Sequence, residues 1–527
     1  MKQNLLFKIN VLFYLIFTFQ SYAQDGSLDN TFNSDGLQTS AVGTFDDVAY
    51  AMAIKEDALN PNNNAARKII IAGQTYNGNK YEFLVMQYND DGSLDNTFGV
   101  NGIVATSLGN YDDKARAIAI QPDGKIVVAG YSFDGTKDNF AIIRYNADGS
   151  TDYSFGTNGY NLTSIGTTAD NINSIAIQSD GSIFAAGFAQ SGNYMDFAVA
   201  KYTSSGLLDN SFDGDGIAVT PIYSNSEFAS KILLQADGKI VVIGSTMQTN
   251  DYDFAMVRYN SDGSYDNTFN GNGFITPYFN GNYNEYGNAG ILQNDGKILI
   301  AGMNYSTFND FIVGRVNTDG TMDNTFGLNG FTTTDFGTSA DYGQASDIAL
   351  QTDNKIIVAG LRSVGTALDF AVARYDQNGL LDVSFDTDGL VSTDFGGDDQ
   401  GRATIMQSNG KILVAGGSHD GTQSRVAIAR YNNPSVSTTT ALQQNNLNSL
   451  QIIPNPFKNN CTITLKEELK NASLNIYNNQ GSICFTQNKL NGKLITLQRN
   501  NLAAGIYFVK IINEDQHVLI QKLVIGD

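Results

Sequence analysis

Short apolar runs separated by polar turn residues recur along most of the chain. One group reads GIVATSL (102–108), ARAIAIQ (115–121), KIVVAGY (125–131) and NFAIIRYN (139–146). Runs of this length and alternation, bounded by Gly, Asn and Asp, predict β-strands. The QPDG sequence between two of them predicts a tight hairpin with glycine at positive φ. The repeating unit is therefore predicted to have four antiparallel strands, called a, b, c and d below in the order ARAIAIQ, KIVVAGY, NFAIIRYN and GIVATSL.

The unit recurs seven times. The strand b string QPDGKIVVAG has seven copies at intervals of 56 to 58 residues, which end at Gly73, Gly130, Gly187, Gly244, Gly302, Gly360 and Gly416. A second string, DGSLDNTFGVNG, also has seven copies, with its aromatic at Phe32, Phe98, Phe155, Phe212, Phe269, Phe326 and Phe385. Small sheets that cannot bury both faces alone stack on their neighbours, so the repeat predicts an all-β, seven-bladed propeller.

The strands at the two ends of the repeat region predict how the ring closes. A lone d strand lies at 37–42, and an a-b-c triplet lies at 403–407, 411–417 and 426–432. Together they make one blade, so a one-plus-three closure would hide the free strand edges. Two separate β-sandwiches are the alternative, but sandwiches do not require seven near-identical units.

The two repeated strings resemble the delta-60 repeat family of bacterial secreted proteins over residues 25 to 432. The resemblance implies a repeat of unassigned biochemical role. It supplies no catalytic residues.

Four segments are predicted from the chain pattern. Residues 1–23 read as a secretory signal peptide, with Lys2 and Lys8 before an apolar run and small residues before the cleavage site. Residues 24–434 form the propeller, 435–449 a polar flexible linker, and 450–527 a small Ig-like β-sandwich. No transmembrane segment is expected in the mature chain.

The last 75 or so residues resemble the type A sorting domain of the Bacteroidetes type IX secretion system. The matching positions are Pro454, Asn455, Pro456, Gly505, Tyr507 and Lys522. The resemblance implies that the translocon and a sortase act on this domain, with delivery to the outer-membrane exterior of a Gram-negative cell. Gly505 and Tyr507 also fit a turn and a core aromatic, and both interpretations can hold together.

Charge and composition restrict the possible partners. The formal net charge is −21, while residues 449–527 carry eight Lys or Arg against five Asp or Glu. The acidic remainder repels phosphate backbones, so nucleic acid is not an expected partner. Cys461 and Cys484 allow a disulfide or two buried thiols about equally well.

Catalytic and metal motifs are scarce. His419 and His517 fall in different predicted domains, so no histidine triad or His-rich metal site is expected, and no cofactor is predicted. Turns such as FDGDG (212–216), FDTDG (385–389) and FNSDG (32–36) have the oxygen spacing of calcium loops. Other copies read FGVNG without a carboxylate, which favours a structural turn over a metal site.

Enzymatic action is the alternative function. A polysaccharide lyase or hydrolase would need unrepeated acids such as Glu227 and Glu285, although a solvated loop acid is the simpler interpretation of each. The acid near the start of strand c recurs as Glu82, Asp196, Asp253, Asp310 and Asp369, which indicates a structural role.

A binding or adhesion module is the function that the repeat favours. The a-b and c-d turns lie on one rim and are nearly invariant, whereas the b-c and d-a loops on the other rim vary. The weak ligand-binding candidates on this variable rim are Tyr278, Tyr283, Tyr286, Tyr305 and Phe308. A glycan, a matrix polymer or a protein could be the ligand, and a purely structural surface role is a third hypothesis.

Overall fold

The computed structural model describes residues 24–56, 66–248, 251–279, 283–305, 309–337, 342–433, 450–453, 457–477, 483–500, 502–503, 505–512 and 518–526. The chain divides into two compact units, Met1–Val436 and Ser437–Asp527. The described residues contain β-strands and turns and no α-helix. Among them there is also no helix with the length and hydropathy needed to span a bilayer.

In the part of the first unit that the structure describes there are 28 strands. The first eleven strands of the chain, in order, are β1 (Leu37–Ser40), β2 (Asp47–Lys55), β3 (Lys68–Tyr76), β4 (Tyr81–Asn89), β5 (Ile103–Thr106), β6 (Asp113–Ile120), β7 (Ile126–Phe133), β8 (Asp138–Tyr145), β9 (Tyr160–Thr163), β10 (Ala169–Ile177) and β11 (Ile183–Ser191). The next eight are β12 (Tyr194–Tyr202), β13 (Ile217–Thr220), β14 (Glu227–Leu234), β15 (Ile240–Gln248), β16 (Asp251–Tyr259), β17 (Phe274–Ile275), β18 (Asn284–Leu292) and β19 (Ile298–Tyr305). The last nine are β20 (Asn309–Val316), β21 (Phe331–Thr334), β22 (Gly343–Leu350), β23 (Ile356–Val364), β24 (Ala367–Tyr375), β25 (Leu390–Thr393), β26 (Asp398–Met406), β27 (Ile412–His419) and β28 (Ser424–Tyr431).

These strands form seven antiparallel blades, which confirms the predicted propeller. Blades 1 to 6 take consecutive groups of four strands, from β2 through β25, in the order a, b, c, d. Blade 7 has the order β1-β28-β27-β26, with Leu37 opposite Ala429 and Ser40 opposite Val426. The one-plus-three closure is therefore confirmed. The core cluster around Phe32 joins blade 7 to blade 1 through residues such as Ala49 and Leu413.

A buried ionic clamp explains why the repeated strings keep their residues. In blade 5, Arg315 of strand c lies 2.7 Å from Asp323 in the c-d turn, and Lys297 of strand b lies 2.7 Å from the same carboxylate. The other carboxylate oxygen accepts hydrogen bonds from the backbone and side chain of Thr325, and the Arg315 guanidinium lies 4.7 Å from the Phe326 ring. The same four-part clamp is centred on Asp152, Asp266, Asp323, Asp382 and Asp29.

The clamp on Asp29 closes the ring, because its parts come from opposite ends of the propeller. Arg430 lies 2.8 Å and Lys411 3.3 Å from the Asp29 carboxylate, and Arg430 also donates to Thr31. Burial alone would raise the pKa of Asp29, but the Arg430 charge, the Thr31 hydrogen bonds and the Lys411 charge outweigh it and lower this pKa.

Backbone hydrogen bonds between successive c-d turns add a second closed circuit. Each turn donates one N–H to the next turn, as in Gly99 to Asp148 at 2.8 Å. The circuit returns to its start where Asp386 N–H donates to the Asp25 carbonyl at 3.0 Å. The rim with the repeated turns is thus a structural ring, as the near-identity of its copies predicts.

The second unit is β-rich and has its own core. Its strands are β29 (Leu450–Ile453), β30 (Asn460–Tyr477), β31 (Ile483–Gln498), β32 (Gly505–Ile512) and β33 (Val518–Ile525), with the order β29-β30-β32-β33 and β31 paired to β30. Cys461 is buried in this core, whereas Cys484 is exposed, so the alternative of two buried thiols is wrong.

We expect Asp29→Asn to open the ring. Removing one charge of a buried ion pair costs about 3–5 kcal/mol. Here the lost ion pairs are those of Asp29 with Arg430 and Lys411, which hold the turn before β1 against the last three strands. The variant should melt earlier, and its d-a loop at residues 41–46 should become a site of rapid limited proteolysis.

Asp323→Asn is the matched control, because it breaks the same clamp inside a blade whose four strands are consecutive in sequence. It should lower stability without selective cleavage at 41–46. Equal cleavage patterns in the two variants would contradict the assignment of the Asp29 clamp to ring closure.

Candidate functional site in the central channel and on the variable rim

The seven a strands stand side by side around the axis, and each carries one β-bulge at the same position. In blade 1 the register shifts between Ala49 and Ala51, so Tyr50 is the extra residue. The equivalent residues around the ring are Tyr50, Arg116, Asn173, Ser230, Asn288, Ser346 and Arg402. A bulge redirects one side chain out of the strand alternation, and here all seven line one central cavity.

The bulges account for the glycine that ends each strand b string. At Gly73 an added Cβ would overlap the Val48 carbonyl oxygen, which the bulged strand brings against the strand b backbone. The same overlap occurs at Gly130, Gly187, Gly244, Gly302, Gly360 and Gly416. Every copy therefore needs glycine at this position, while the bulge residue beside it differs from blade to blade.

The cavity has a volume of about 270 Å³. The apolar side chains that line it include Met52, Ile118 and Ile175, which lie further along the a strands toward the a-b turns. The polar lining comes from the bulge residues and from Lys231, Gln344 and Asp347. The channel thus has a polar ring above an apolar section.

A tyrosine between two arginines occupies one side of the channel. The Arg116 guanidinium lies 3.7 Å and the Arg402 guanidinium 4.7 Å from the centroid of the Tyr50 ring. These cation–π contacts join blades 7, 1 and 2. Arg116 also approaches the Tyr131 hydroxyl at 3.5 Å, and Arg402 donates to Gln400 at 2.6 Å.

The opposite side is nearly neutral and partly structural. Lys231 pairs with Asp347 at 3.3 Å, and Asp347 also accepts the Thr404 N–H at 3.0 Å. The Asn173 and Asn288 amides donate to backbone carbonyls of the next blade, both at 2.8 Å. The named charges of the channel therefore sum to a positive value within a strongly acidic chain.

A second cavity lies beside the channel, mainly in blade 7. It has a volume of about 340 Å³ and is lined by Arg402 together with Val48, Asp398, Gln400 and His419, among others. Arg402 therefore lines both cavities, and the second cavity includes residues at the rim that the sequence analysis identified as variable.

The predicted rim aromatics lie in blade 5 and the loop before it. Tyr278, Tyr283 and Tyr305 are 61%, 42% and 53% exposed, while Tyr286 is half-buried. Tyr305 lies opposite Asn284 in the β18–β19 pair, two residues along from Tyr286. Phe308 lies outside the described residues. As ligand-binding residues, all five aromatics stay predictions.

A row of rings crosses blades 3 to 5 beside these residues. Neighbouring ring centroids are 5.7 Å apart from Phe188 to Phe228, 5.6 Å from Phe228 to Tyr252, and 5.1 Å from Tyr252 to Tyr286. Tyr286 is therefore packed in an inter-blade aromatic row, and Tyr278, Tyr283 and Tyr305 offer more open surface.

The structure corrects the interpretation of Glu227 and Glu285 as unrepeated or solvated acids. Both are 0% exposed, and both lie three residues before a bulge. Asp47, Asp113, Asp170 and Asp399 occupy the same position in other blades. The acid is thus a repeated structural element, and neither glutamate is among the residues that line the channel.

These buried acids meet residues from the preceding blade. Asp170 pairs with Lys137 at 3.0 Å, but Glu285 meets Asp253 and Glu227 meets Asp196. Burial, followed by the Asp253 carboxylate, raises the pKa of Glu285 to about 8. Neither oxygen of Glu285 has a donor among the described residues, so the contact is satisfied when one carboxyl keeps its proton.

Carboxylates suited to a cation are engaged by the protein itself. In two of the turns considered for calcium, Asp215 and Asp388 accept the N–H groups of Ile217 and Leu390, both at 2.9 Å. One further group, Asp369, Asp394 and Asp399, has oxygens within 4.8 Å of one another. Its members accept hydrogen bonds from Ser392, Gly396 and Phe395.

The sorting residues fall in the second unit. Tyr507 is buried and donates to the Ala503 carbonyl at 3.1 Å, while Gly505 is the first residue of β32. Lys522 is opposite Phe508 in the β32–β33 pair. Pro454, Asn455 and Pro456 lie outside the described residues.

Sequence reasoning missed the channel. The signal was present in strand a, where AYAMAI, ARAIAI and ASKILL share small and apolar positions around one residue that changes. Placing that residue inward required the bulge, because unbroken alternation would turn it toward a neighbouring blade.

Two family profiles match the chain. One, described as a domain of unknown function (DUF5122) beta-propeller, matches residues 67–98, 121–155, 178–212, 235–269, 293–326, 351–385 and 407–433. The other, a secretion system C-terminal sorting domain, matches residues 451–526. No curated protein matches the sequence.

Solved propeller structures resemble the chain distantly. The polysaccharide lyase Uly1 has 13% identity and a TM-score of 0.41, covering 79% of this chain and 94% of its own. Sqt1 from Chaetomium thermophilum has 11% identity and a TM-score of 0.36, covering 75% and 99%. A PL25 ulvan lyase has 10% identity and a TM-score of 0.32, covering 77% and 91%. At these values the similarity supports no statement about what this chain binds or does.

We expect Glu285→Gln to stabilise the propeller at alkaline pH. Because the pKa of Glu285 is raised from 4.5 to about 8 in the folded state, its contribution to stability is greatest below pH 4.5 and is lost between pH 4.5 and 8. The neutral amide of the variant does not titrate, so its stability does not fall in this pH range. Thermal melting should show a free energy of unfolding higher than that of the unaltered protein by on the order of 2 kcal/mol at pH 8, and little difference at pH 5.

Asp170→Asn is the comparison, because it leaves Lys137 without its carboxylate and should be destabilising at pH 8. A difference between Glu285→Gln and the unaltered protein that stays constant from pH 5 to 8 would contradict the shared proton.

Proposed function

The chain is a seven-bladed propeller of DUF5122 repeats with a type IX secretion sorting domain, and we propose that the propeller is a non-catalytic binding or adhesion module at the cell surface. Its ligand would be a glycan, a matrix polymer or a protein. Export to the cell surface or into the medium follows from the sorting domain.

The seven bulge residues carry this proposal. Strand a has small or apolar residues at most other positions and its partner strand keeps glycine, yet Tyr, Arg, Asn and Ser alternate at the bulge position, which faces the channel. Residues required by the fold recur in every blade, so a position that varies on a shared scaffold is free to be selected for a ligand.

The positions of the two candidate catalytic acids favour binding over catalysis. Glu227 and Glu285 are buried between blades in a position that the repeat uses structurally. Hydrolysis by two carboxylates needs both groups beside the scissile bond. The proposal therefore assigns the channel and the variable rim to recognition.

The proposed module should bind an extracellular polymer through the variable rim. We expect the mature full-length chain to be retained by at least one component of a glycan array or of a surface-polymer extract. Tyr305→Ala should weaken retention several-fold, since the contact of an aromatic side chain with a ring of the ligand contributes roughly 1 kcal/mol or more.

Tyr153→Ala is the matched control, because Tyr153 is 76% exposed but lies in a c-d turn on the repeated rim. It should leave retention unchanged. Equal loss in both variants, or turnover of the bound polymer, would count against a binding module that uses the variable rim.

Delivery should depend on the second unit. Deleting residues 450–527 should leave the propeller in the periplasm, where it is protected from protease added to intact cells, whereas the full chain is digested or released. Fusing residues 437–527 to a signal-peptide-bearing reporter should deliver that reporter outside, and normal surface delivery of the truncated chain would contradict the sorting assignment.

A further inference from the structure

Among the described residues the propeller has six buried arginines, and two half-buried arginines, Arg116 and Arg402, lie in the channel. The six buried arginines pair with carboxylates: Arg67, Arg144, Arg258, Arg315, Arg374 and Arg430. Arg116 and Arg402 in the channel have no carboxylate within ion-pair distance among the described residues. A guanidinium removed from bulk water without a counter-charge is costly, so their position calls for another explanation.

Most donors of these two arginines are unused by the protein. Arg402 gives one hydrogen bond, to Gln400, and its Nε is enclosed without an acceptor. Arg116 has one long contact to the Tyr131 hydroxyl, and the Tyr50 side chain also stabilises its charge. A guanidinium offers five N–H donors in a planar arrangement that matches an oxyanion. The two arginines therefore have N–H groups available to bind a negatively charged group.

The two charges also oppose each other across the Tyr50 ring. Burial lowers the pKa of Arg402, Tyr50 partly offsets this, and the Arg116 charge lowers the pKa further. Burial also lowers the pKa of Arg116, but its contacts with Tyr50 and Tyr131 outweigh this effect and raise it. Cation–π contacts with Tyr50 hold both guanidinium groups in place. An anion bound beside both guanidinium groups would reduce this repulsion, whereas a cation would increase it.

The rest of the lining selects among anionic ligands. Ser230, Ser346 and Gln344 present hydroxyl and amide groups to the same cavity, and the aromatic faces of Tyr50 are covered by the arginines. The volume of about 270 Å³ is slightly below the range of small-ligand pockets, roughly 300–1,000 Å³. The site therefore suits one small, hydroxyl-rich group better than a polymer lying across it.

We propose that the channel binds the anionic group of a saccharide, a carboxylate or a sulfate ester, through the guanidinium N–H groups of Arg116 and Arg402 that Tyr50 leaves open. This inference rests on the proposed binding function and gives it a ligand class. The remaining hydroxyls of the sugar would face the serine and amide side of the channel, and the chain would leave through the cavity that Arg402 shares with the variable rim.

Isothermal titration of the mature full-length chain tests the proposal at 0.15 M NaCl. Two charged probes are each compared with an uncharged counterpart: tetragalacturonate with its methyl ester, and a sulfated carrageenan tetrasaccharide with its desulfated form. Poly-L-glutamate is the third probe, for an acidic peptide. We expect at least one charged saccharide to bind tenfold or more tightly than its neutral counterpart.

Arg116→Gln with Arg402→Gln should abolish that preference. Arg425→Gln is the matched control, because Arg425 is an exposed arginine paired with Asp420 outside the channel. It should keep the preference. Should the double glutamine variant fail to fold, Arg116→Lys with Arg402→Lys keeps both charges without the planar fork, and a drop of several-fold is then expected.

The outcomes separate the two proposals. Equal binding of charged and neutral saccharides, or a preference that survives in the double glutamine variant, overturns the anion site and leaves the binding module standing. Binding of poly-L-glutamate alone overturns the saccharide class. Failure of all saccharides together with failure of the glycan and polymer screen overturns both.

Discussion

In five of the seven blades, one carboxylate of the c-d turn holds the blade together. The aspartate of the c-d turn collects an arginine from strand c, a lysine from strand b and a hydroxyl two residues onward, and the arginine covers the turn phenylalanine. The side chains of three repeated strings thus meet at one point, which ties the outer turn to the middle of each sheet. Their combined contacts keep the aspartates ionised despite burial, as the lowered pKa of Asp382, about 2, indicates.

The ring is closed by the same kind of clamp that stabilises the individual blades. Asp29 and Arg430 do for blade 7 what Asp323 and Arg315 do inside blade 5. The wall of the channel is also repetitive, because every blade has one bulge in strand a and one glycine in strand b that packs against it. The bulge side chains and the loops of one rim are the parts that differ from blade to blade.

Much of the fold was predictable because the same pattern of strands and turns occurs seven times in the sequence. Strand boundaries, the blade count and the pairing of Leu37–Ser40 with the last triplet follow from apolar runs and turn residues. The channel was not predictable, because a bulge depends on a carbonyl such as that of Val48 lying against Gly73, and sequence spacing does not record that contact. The burial of Glu285 was missed for a related reason: Glu in place of Asp concealed a repeated position.

The one-plus-three blade also sets the order of folding. Six blades are made of strands that are close in sequence, and each can form from local contacts as soon as its four strands exist. The seventh joins Leu37–Ser40 to Ser424–Tyr431, a separation of nearly the whole propeller, so its loop-closure entropy is the largest in the unit. The slowest folding step should therefore be the sealing of the ring, and until it occurs β28 presents an open edge to which a strand of another chain can add.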